Sequence, residues 1–213
     1  MNKTKVAFQG EKGAYSHIAC ETLFKDPEIK NCSTFEETFK TAHENEEYKI
    51  VIPIENSLAG RVADIHYLLP KYKLQIYGEH FQKVEHNLIV KKNANIKDIK
   101  FVRSHAQAIG QCQQIIMNNN FKTIISADTA GSARDLANSN DISIAAIASE
   151  LSAKIYDLKI LKKNIEDESG NVTRFLIMGK NPKQPENEKG KKYITTCIFR
   201  LKSIPAALYK CLG

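Results

Sequence analysis

Short aliphatic runs alternate with helix-length amphipathic stretches along most of this chain, and that alternation admits little besides an α/β architecture. Lys5-Val6-Ala7-Phe8-Gln9 reads as a first strand, followed by a glycine-containing junction at residues 10–16 and a helix to about Lys25. A strand near residues 30–33 leads to Thr34, which reads as an N-cap with Glu37 as its capping-box partner. The helix it opens runs to about Asn45. Tyr48-Lys49-Ile50-Val51-Ile52-Pro53-Ile54 reads as a buried strand, and residues 55–61 turn into a helix that ends before Pro70.

The rhythm then breaks. Residues 74–79 and 84–90 read as extended segments with no helix between them. A second α/β series follows: strands near residues 100–102, 123–125 and 142–145, each passing through a polar junction into a helix, the first of these running to Met117. Leu158-Lys159-Ile160-Leu161 is extended again and leads back to Asn171-Val172-Thr173-Arg174-Phe175-Leu176-Ile177-Met178. Two lobes joined by two crossings account for this order. The first would take residues 1–78 and 160–179, the second 82–156, with a cleft between them able to open and close.

Composition narrows the class. With 42% hydrophobic and 26% charged residues the chain supports a packed core. Its net charge of +7 comes from scattered lysines and from residues 180–192, and no basic run is interleaved with aromatics, which speaks against nucleic-acid binding. Five cysteines without a C-x-x-C point to reduced thiols rather than disulfides or zinc. The first residues lead straight into a strand, and no apolar run reaches membrane-spanning length. These features predict a soluble cytoplasmic protein.

In open α/β sheets, ligands sit at the carboxyl ends of strands, beside helix N-termini. The junctions at residues 13–16, 55–60, 104–107 and 126–132 carry small polar side chains, suited together to a small, oxygen-rich anion. Singly, Ser57, Ser104 and Asp128 also read as caps, and His105 as a cap or packed histidine. Gly10–Ser16 lacks the P-loop ending, and no G-x-G-x-x-G, H-E-x-x-H or G-x-S-x-G is present. Arg174 admits two readings: a bidentate clamp for a carboxylate, or a salt bridge to Glu166, Asp167 or Glu168.

The motifs resemble those of the prephenate dehydratases. Thr173-Arg174-Phe175 is similar to that family's Thr-Arg-Phe signature, Pro53-Ile54-Glu55-Asn56-Ser57 to its Pro-Ile-Glu-Asn-Ser motif, and Ser104-His105-Ala106-Gln107-Ala108-Ile109 to its Ser-His-Pro-Gln-Ala-Leu segment. Residues 10–16 are similar to its Gly-Pro-x-Gly-Thr-Tyr-Ser opening, with Glu11 for Pro and Ala14 for Thr. The resemblance covers about residues 5–179. It implies a two-lobed catalytic domain of the type II periplasmic-binding-protein-like class over residues 1–179. The implied reaction removes the ring hydroxyl and ring carboxylate of prephenate without a cofactor or metal, since aromatisation drives it. By the same resemblance, Thr173 would donate to the departing hydroxyl, Arg174 would hold a substrate carboxylate or brace the strand, and Phe175 would pack the cleft wall. Asn56, Ser57, Ser104, His105, Gln107 and Thr129 would orient the dianion.

Residues 180–192 read as a linker of Pro, Gly and charge. Residues 193–213 resemble the start of an α+β ACT regulatory domain. There Ala206-Ala207-Leu208 stands where the family's Gly-Ala-Leu turn binds phenylalanine. An L-phenylalanine effector and a homodimer or homotetramer would belong to the longer protein. Two other classes remain: a two-lobed small-anion sensor, disfavoured by the absence of a signal peptide and a helix-turn-helix, and an inactive paralogue, favoured only by the short tail.

Overall fold

Val6, Ala7 and Phe8 are all fully buried in β1 (Lys5–Gln9). A strand apolar on both faces needs cover on both, and this one lies inside a sheet with helices on either side. It pairs in parallel with β2 (Glu28–Cys32) and β3 (Tyr48–Asn56). α1 (Tyr15–Leu23) packs Ala19 and Cys20 on Val6, Phe8 and Val51. α2 (Phe35–Glu44) and α3 (Ala63–Tyr72) cover Ala7, Ile50 and Ile52 on the other face. The computed structural model describes residues 3–181, 190, 192, 199 and 201–212. It divides into two units, Met1–Lys183 and Gln184–Gly213.

Thr34 caps α2 as expected: its Oγ1 accepts from the Glu37 N–H at 3.0 Å. The Glu37 carboxylate turns back to the Ser33 N–H, at 2.8 Å, instead of to Thr34. α3 does not stop before Pro70 but runs past it to Tyr72. A proline in the last turn removes one hydrogen bond where few remain to be lost.

β4 (Gly60–Arg61) pairs with β3, and β5 (Gln75–Lys83) is one long strand. The returning strand, β11 (Val172–Gly179), inserts between β3 and β5, antiparallel to both, giving the order β2-β1-β3-β11-β5. The second sheet holds β6 (Asn87–Val90), β7 (Phe101–His105), β8 (Lys122–Ser126), β9 (Ile144–Ala148) and β10 (Lys159–Lys162), in the order β10-β6-β9-β7-β8.

The sheets correct two expected lobe limits. β5 keeps residues up to Lys83 in the first sheet, so the outward crossing lies at residues 84–86. Lys159–Lys162 pairs with β6, so the return to the first sheet begins after Lys162 instead of near residue 160. Ile160 and Leu161 pack into the second sheet's two cores, and that burial holds β10 there.

The helix expected from residue 106 to Met117 is two helices, α4 (Ala106–Gly110) and α5 (Gln113–Asn118). Asp167 explains the break. Its carboxylate accepts from the Gln113 and Gln114 N–H groups at 2.7 and 3.0 Å, capping α5 from far along the chain. α6 (Thr129–Asn138) and α7 (Glu150–Ile155) follow, each opened by a side-chain cap, Asp128 and Ser149.

The lobes also meet away from the crossings. The Gly13 carbonyl accepts from the Ser149 and Ser152 hydroxyls at 2.5 and 3.0 Å, and Tyr156 donates to the Lys12 carbonyl at 3.0 Å. Glu11 pairs with Arg134 of α6. The junction at residues 13–16, read as a ligand cradle, is thus bound in part by the second lobe at its Gly13 carbonyl.

In the second unit, Ala206 has φ 59° and precedes α8 (Ala207–Leu212). The strand expected from Tyr193 and most of the linker lie outside the described residues. Among the described residues, no helix is long and apolar enough to cross a membrane.

Candidate active site

A cleft of about 530 Å³ lies between the two sheets of the first unit, within the size range of small-molecule sites. Tyr15, Pro53, Asn56, Arg61 and Thr173 line it from the first lobe side. His105, Gln107, Gln111 and Thr129 line it from the second, and His86 from the crossing between them.

Thr173 stands where β11 enters the first sheet, between Asn56 of β3 and Gln82 of β5. It is 9% exposed. Its Oγ1 accepts from Asn56 Nδ2 at 2.9 Å. The orientation of that amide is fixed, because Asn56 Oδ1 accepts from the Leu58 and Ala59 N–H groups at 3.0 and 2.9 Å. The second short bond from Nδ2 goes to Asn171 Oδ1 at 2.7 Å. With one lone pair engaged by Asn56, Thr173 keeps its O–H to donate, and among the described residues nothing accepts it.

Four expected site residues are placed elsewhere. Successive strand residues face opposite sides, so Arg174 cannot share the side of Thr173. Its guanidinium lies 3.1 Å from Glu55 and 2.8 Å from Glu79, over the Phe81 ring, and does not line the cleft. These are not the carboxylates near residue 167 that the sequence suggested. The hydrogen bond to Glu55, with Glu79 adding to it, raises the Arg174 pKa further. Phe175 is 1% exposed in the core with Phe8 and Val51, not on the cleft wall. Ser57 donates to the Gly170 carbonyl at 3.1 Å and accepts from the Val172 N–H at 3.0 Å, holding the turn into β11. Ser104 is fully buried and donates to the Ile147 carbonyl at 2.7 Å, stitching β7 to β9.

Asn56, His105, Gln107 and Thr129 do reach the cleft together with Thr173. His105 is the N-cap of α4, its Nδ1 accepting from the Gln107 N–H at 3.3 Å. Thr129 begins α6, whose N-cap Asp128 also lines the cleft while accepting from the Gly131 N–H at 2.6 Å. The capping readings of His105 and Asp128 therefore hold alongside their place in the cleft wall.

The sequence did not single out Tyr15, Arg61, His86, Gln111 or Asn171 as site residues. Gln111 and Asn171 adjoin recognisable motifs, but their partners are remote in sequence. Arg61 had a legible signal: a cation in the junction between β3 and α3. Of the arginines among the described residues, Arg103, Arg134 and Arg174 each pair with a carboxylate, and Arg61 pairs with none. Glu55 lies directly across from Arg61 on β3, yet its carboxylate is engaged by Arg174. Burial lowers the His86 pKa, opposed by Gln111 and Glu166, and burial first raises that of Tyr15.

Residues 6–183 match the family described as prephenate dehydratase. The chain is 39% identical over 211 residues to a bifunctional N-acyl-homoserine lactone acylase/prephenate dehydratase of Komagataeibacter europaeus, covering 98% of this chain and 74% of that protein. It is 37% identical over 212 residues to the chloroplastic arogenate dehydratase/prephenate dehydratase 2 of Arabidopsis thaliana, covering 100% of this chain and 55% of that one. The chain therefore spans about three quarters of the first relative and about half of the second. A solved prephenate dehydratase of Staphylococcus aureus superposes with TM-score 0.75 at 28% identity, covering 86% of this chain and 69% of that one. Both lobes and the cleft between them fall inside the matched residues, and the chain belongs to the prephenate dehydratase family.

Proposed function

We propose that the two-lobed unit converts prephenate to phenylpyruvate, water and carbon dioxide, serving phenylalanine biosynthesis. The observation that carries this reading is Thr173: a nearly buried hydroxyl in a cleft, accepting from Asn56 while among the described residues nothing takes its proton. As the ring carboxylate leaves as carbon dioxide, its C–C electron pair enters the ring and the C–O bond to the hydroxyl breaks. Thr173 donates a hydrogen bond to that departing oxygen, which leaves at the hydroxide level and takes one proton from solvent to end as water. A threonine is too weak an acid to supply the proton alone, so stabilisation of the developing charge is its contribution. Asn56, His105, Gln107 and Thr129 orient the substrate from both lobes. Ser57, Ser104 and Phe175 act behind the cleft, as supports of the backbone that carries it.

The carboxylate cation in this proposal is Arg61, in place of Arg174. Arg61→Gln should raise KM for prephenate by about 10- to 100-fold, the scale of one charge-assisted hydrogen bond, with Tm unchanged. Arg174→Gln should instead lower stability by about 1 kcal/mol, since it leaves Glu55 and Glu79 without their shared partner, and should shift KM less. Thermal melts and steady-state kinetics on both variants check this; a kinetically silent Arg61→Gln would remove Arg61 from the site.

A cytoplasmic setting belongs to the same proposal and is supported by the buried, unpaired Cys20, Cys32 and Cys112. So does an L-phenylalanine effector acting through the second unit. Its support is Ala206, whose φ of 59° is the left-handed conformation natural to the glycine of a Gly-Ala-Leu turn. Self-association is supported by the exposed Leu208, Tyr209 and Leu212 of α8. The central test supplies prephenate and arogenate separately at neutral pH, following phenylpyruvate absorbance for one and phenylalanine for the other. Absence of phenylpyruvate above the spontaneous rate would overturn the prephenate assignment.

A further inference from the structure

Five side chains form a continuous hydrogen-bonded bridge between the lobes, and only one end of it has been given a role. From Asn56 it passes to Asn171 Oδ1 at 2.7 Å, from Asn171 Nδ2 to Gln111 Oε1 at 2.9 Å, and from Gln111 Oε1 to His86 Nε2 at 2.9 Å. His86 Nδ1 then lies 3.0 Å from the Tyr15 hydroxyl, which donates to the Glu85 carbonyl at 2.7 Å. Asn171 and His86 are each 2% exposed.

The direction of every bond follows from one end. Backbone N–H groups fix Asn56 Oδ1, so Asn56 Nδ2 must donate. Asn171 therefore accepts through Oδ1 and donates through Nδ2, and Gln111 must receive that bond on Oε1. His86 meets the same oxygen, and an oxygen cannot donate, so His86 Nε2 must carry a hydrogen. Turning any one amide over would set donor against donor at its neighbour. The outcome for the cleft is specific. Gln111 Oε1 is occupied twice, and among the described residues Gln111 Nε2 has no acceptor, leaving its hydrogens for a ligand.

We propose that His86 is a positioning residue for the dehydration: its Nε2–H, with Asn171, locks Gln111 so that Gln111 Nε2 and the Thr173 hydroxyl are presented together as donors to the substrate. The proposal rests on the dehydratase reading for its last step only. Tyr15 sets the ring plane from α1, its ring edge-on to His86 with centroids 5.8 Å apart. The charged group on the other side is Glu166, whose Oε2 accepts from the His86 backbone N–H at 3.0 Å. Burial, the larger effect, holds the imidazole toward its neutral form, in which Nδ1 is bare and shares the single Tyr15 hydroxyl proton with the Glu85 carbonyl.

The test compares His86→Gln, whose amide can still donate to Gln111, with His86→Leu, which cannot. His86→Leu should lower kcat by about 10-fold, the scale of misplaced polar groups in a buried network, while KM changes less and Tm falls by only a few degrees. His86→Gln should recover most of that loss. Equal losses in the two variants, or a His86→Leu protein with full kcat, would overturn the proposal. A second measurement needs no variant and no turnover: 15N spectra of the wild-type imidazole should show Nε2 protonated throughout the neutral range. A bare Nε2 would overturn the relay. Failure of prephenate turnover in the wild type would instead count against the reaction, because the spectra judge the relay separately.

Discussion

Replacing Thr173 with valine is expected to lower kcat for prephenate by about 100- to 1,000-fold, the scale of removing one donor to a developing oxyanion. Valine keeps the volume and the β-branch, so β11 retains its shape and packing. What is lost is the hydroxyl. Asn56 Nδ2 loses one acceptor, but the Val172 carbonyl already lies 3.3 Å from it and can take the hydrogen. Stability should therefore fall by about 1 kcal/mol at most, and KM should stay within a fewfold, because in the proposed reaction the donor acts on the leaving oxygen more than on the bound ground state. Thr173→Ser restores the hydroxyl without the methyl that restricts its rotamer, and should recover the greater part of the rate. Steady-state kinetics with thermal melts on the three proteins check the series. A valine variant within tenfold of wild-type kcat would remove Thr173 from the reacting site.

The pH dependence of stability carries a related signature. His17 and His86 are both shifted downward by burial first. A histidine whose folded pKa is depressed binds fewer protons in the native state than in the unfolded chain. Their contribution is complete above the unfolded value of about 6.5 and is lost as pH falls below it toward the depressed values. Acid titration of Tm should therefore slope downward from that region, and His86→Gln should remove part of the slope.

Much of the fold was legible because it follows from local pattern. β1 reads as buried from Val6, Ala7 and Phe8, and α2 announces itself through Thr34 and Glu37. The return of the chain as β11 follows from one apolar run after a polar turn. Parts that depend on remote partners were not legible. Nothing near Gln113 shows that Asp167 will cap a new helix there, and nothing near Ile160 shows that it will stay with the second sheet. The same division runs through the site. Asn56 and Thr173 stand in motifs and also meet in space. Ser57 and Ser104 stand in motifs too, but their hydroxyls are held by the Gly170 and Ile147 carbonyls, partners supplied by other strands and turns. The displacement of Arg174 from the cleft could have been read in advance, since strand alternation already separates it from Thr173. His86 and Tyr15 had no such signal, because their meaning lies in a hydrogen-bond direction that starts at Asn56.

The junction before α1 gives the second large effect, and here the cost is structural. Gly13→Ala should destabilise the protein by roughly 2–4 kcal/mol and lower Tm by about 5–15 °C, taking the usual scaling for a domain of this size. Two effects act together. Gly13 has φ 92°, a conformation that strains any residue with a Cβ. A Cβ there would also stand 2.5 Å from Ser152 Oγ and 2.7 Å from Ser152 Cα. Rotating Ser152 relieves only the first contact, since the second is helix backbone. The lobes would have to part at the seam where Ser149 and Ser152 hold the Gly13 carbonyl. Gly10→Ala is the control: φ is 119°, but the nearest contact of a Cβ is Ala14 Cβ at 3.6 Å, so strain acts without a clash. Its loss should be smaller, and the difference between the variants measures the rigidity of the seam. If both lose stability equally, the seam yields easily and the lobes are free to part there. If Gly13→Ala loses more and also raises KM, the seam fixes one side of the cleft. Any closure over substrate must then pivot about residues 10–16, with the Thr173 side of the first lobe approaching Gln107 and Gln111 while the Gly13 contact stays in place.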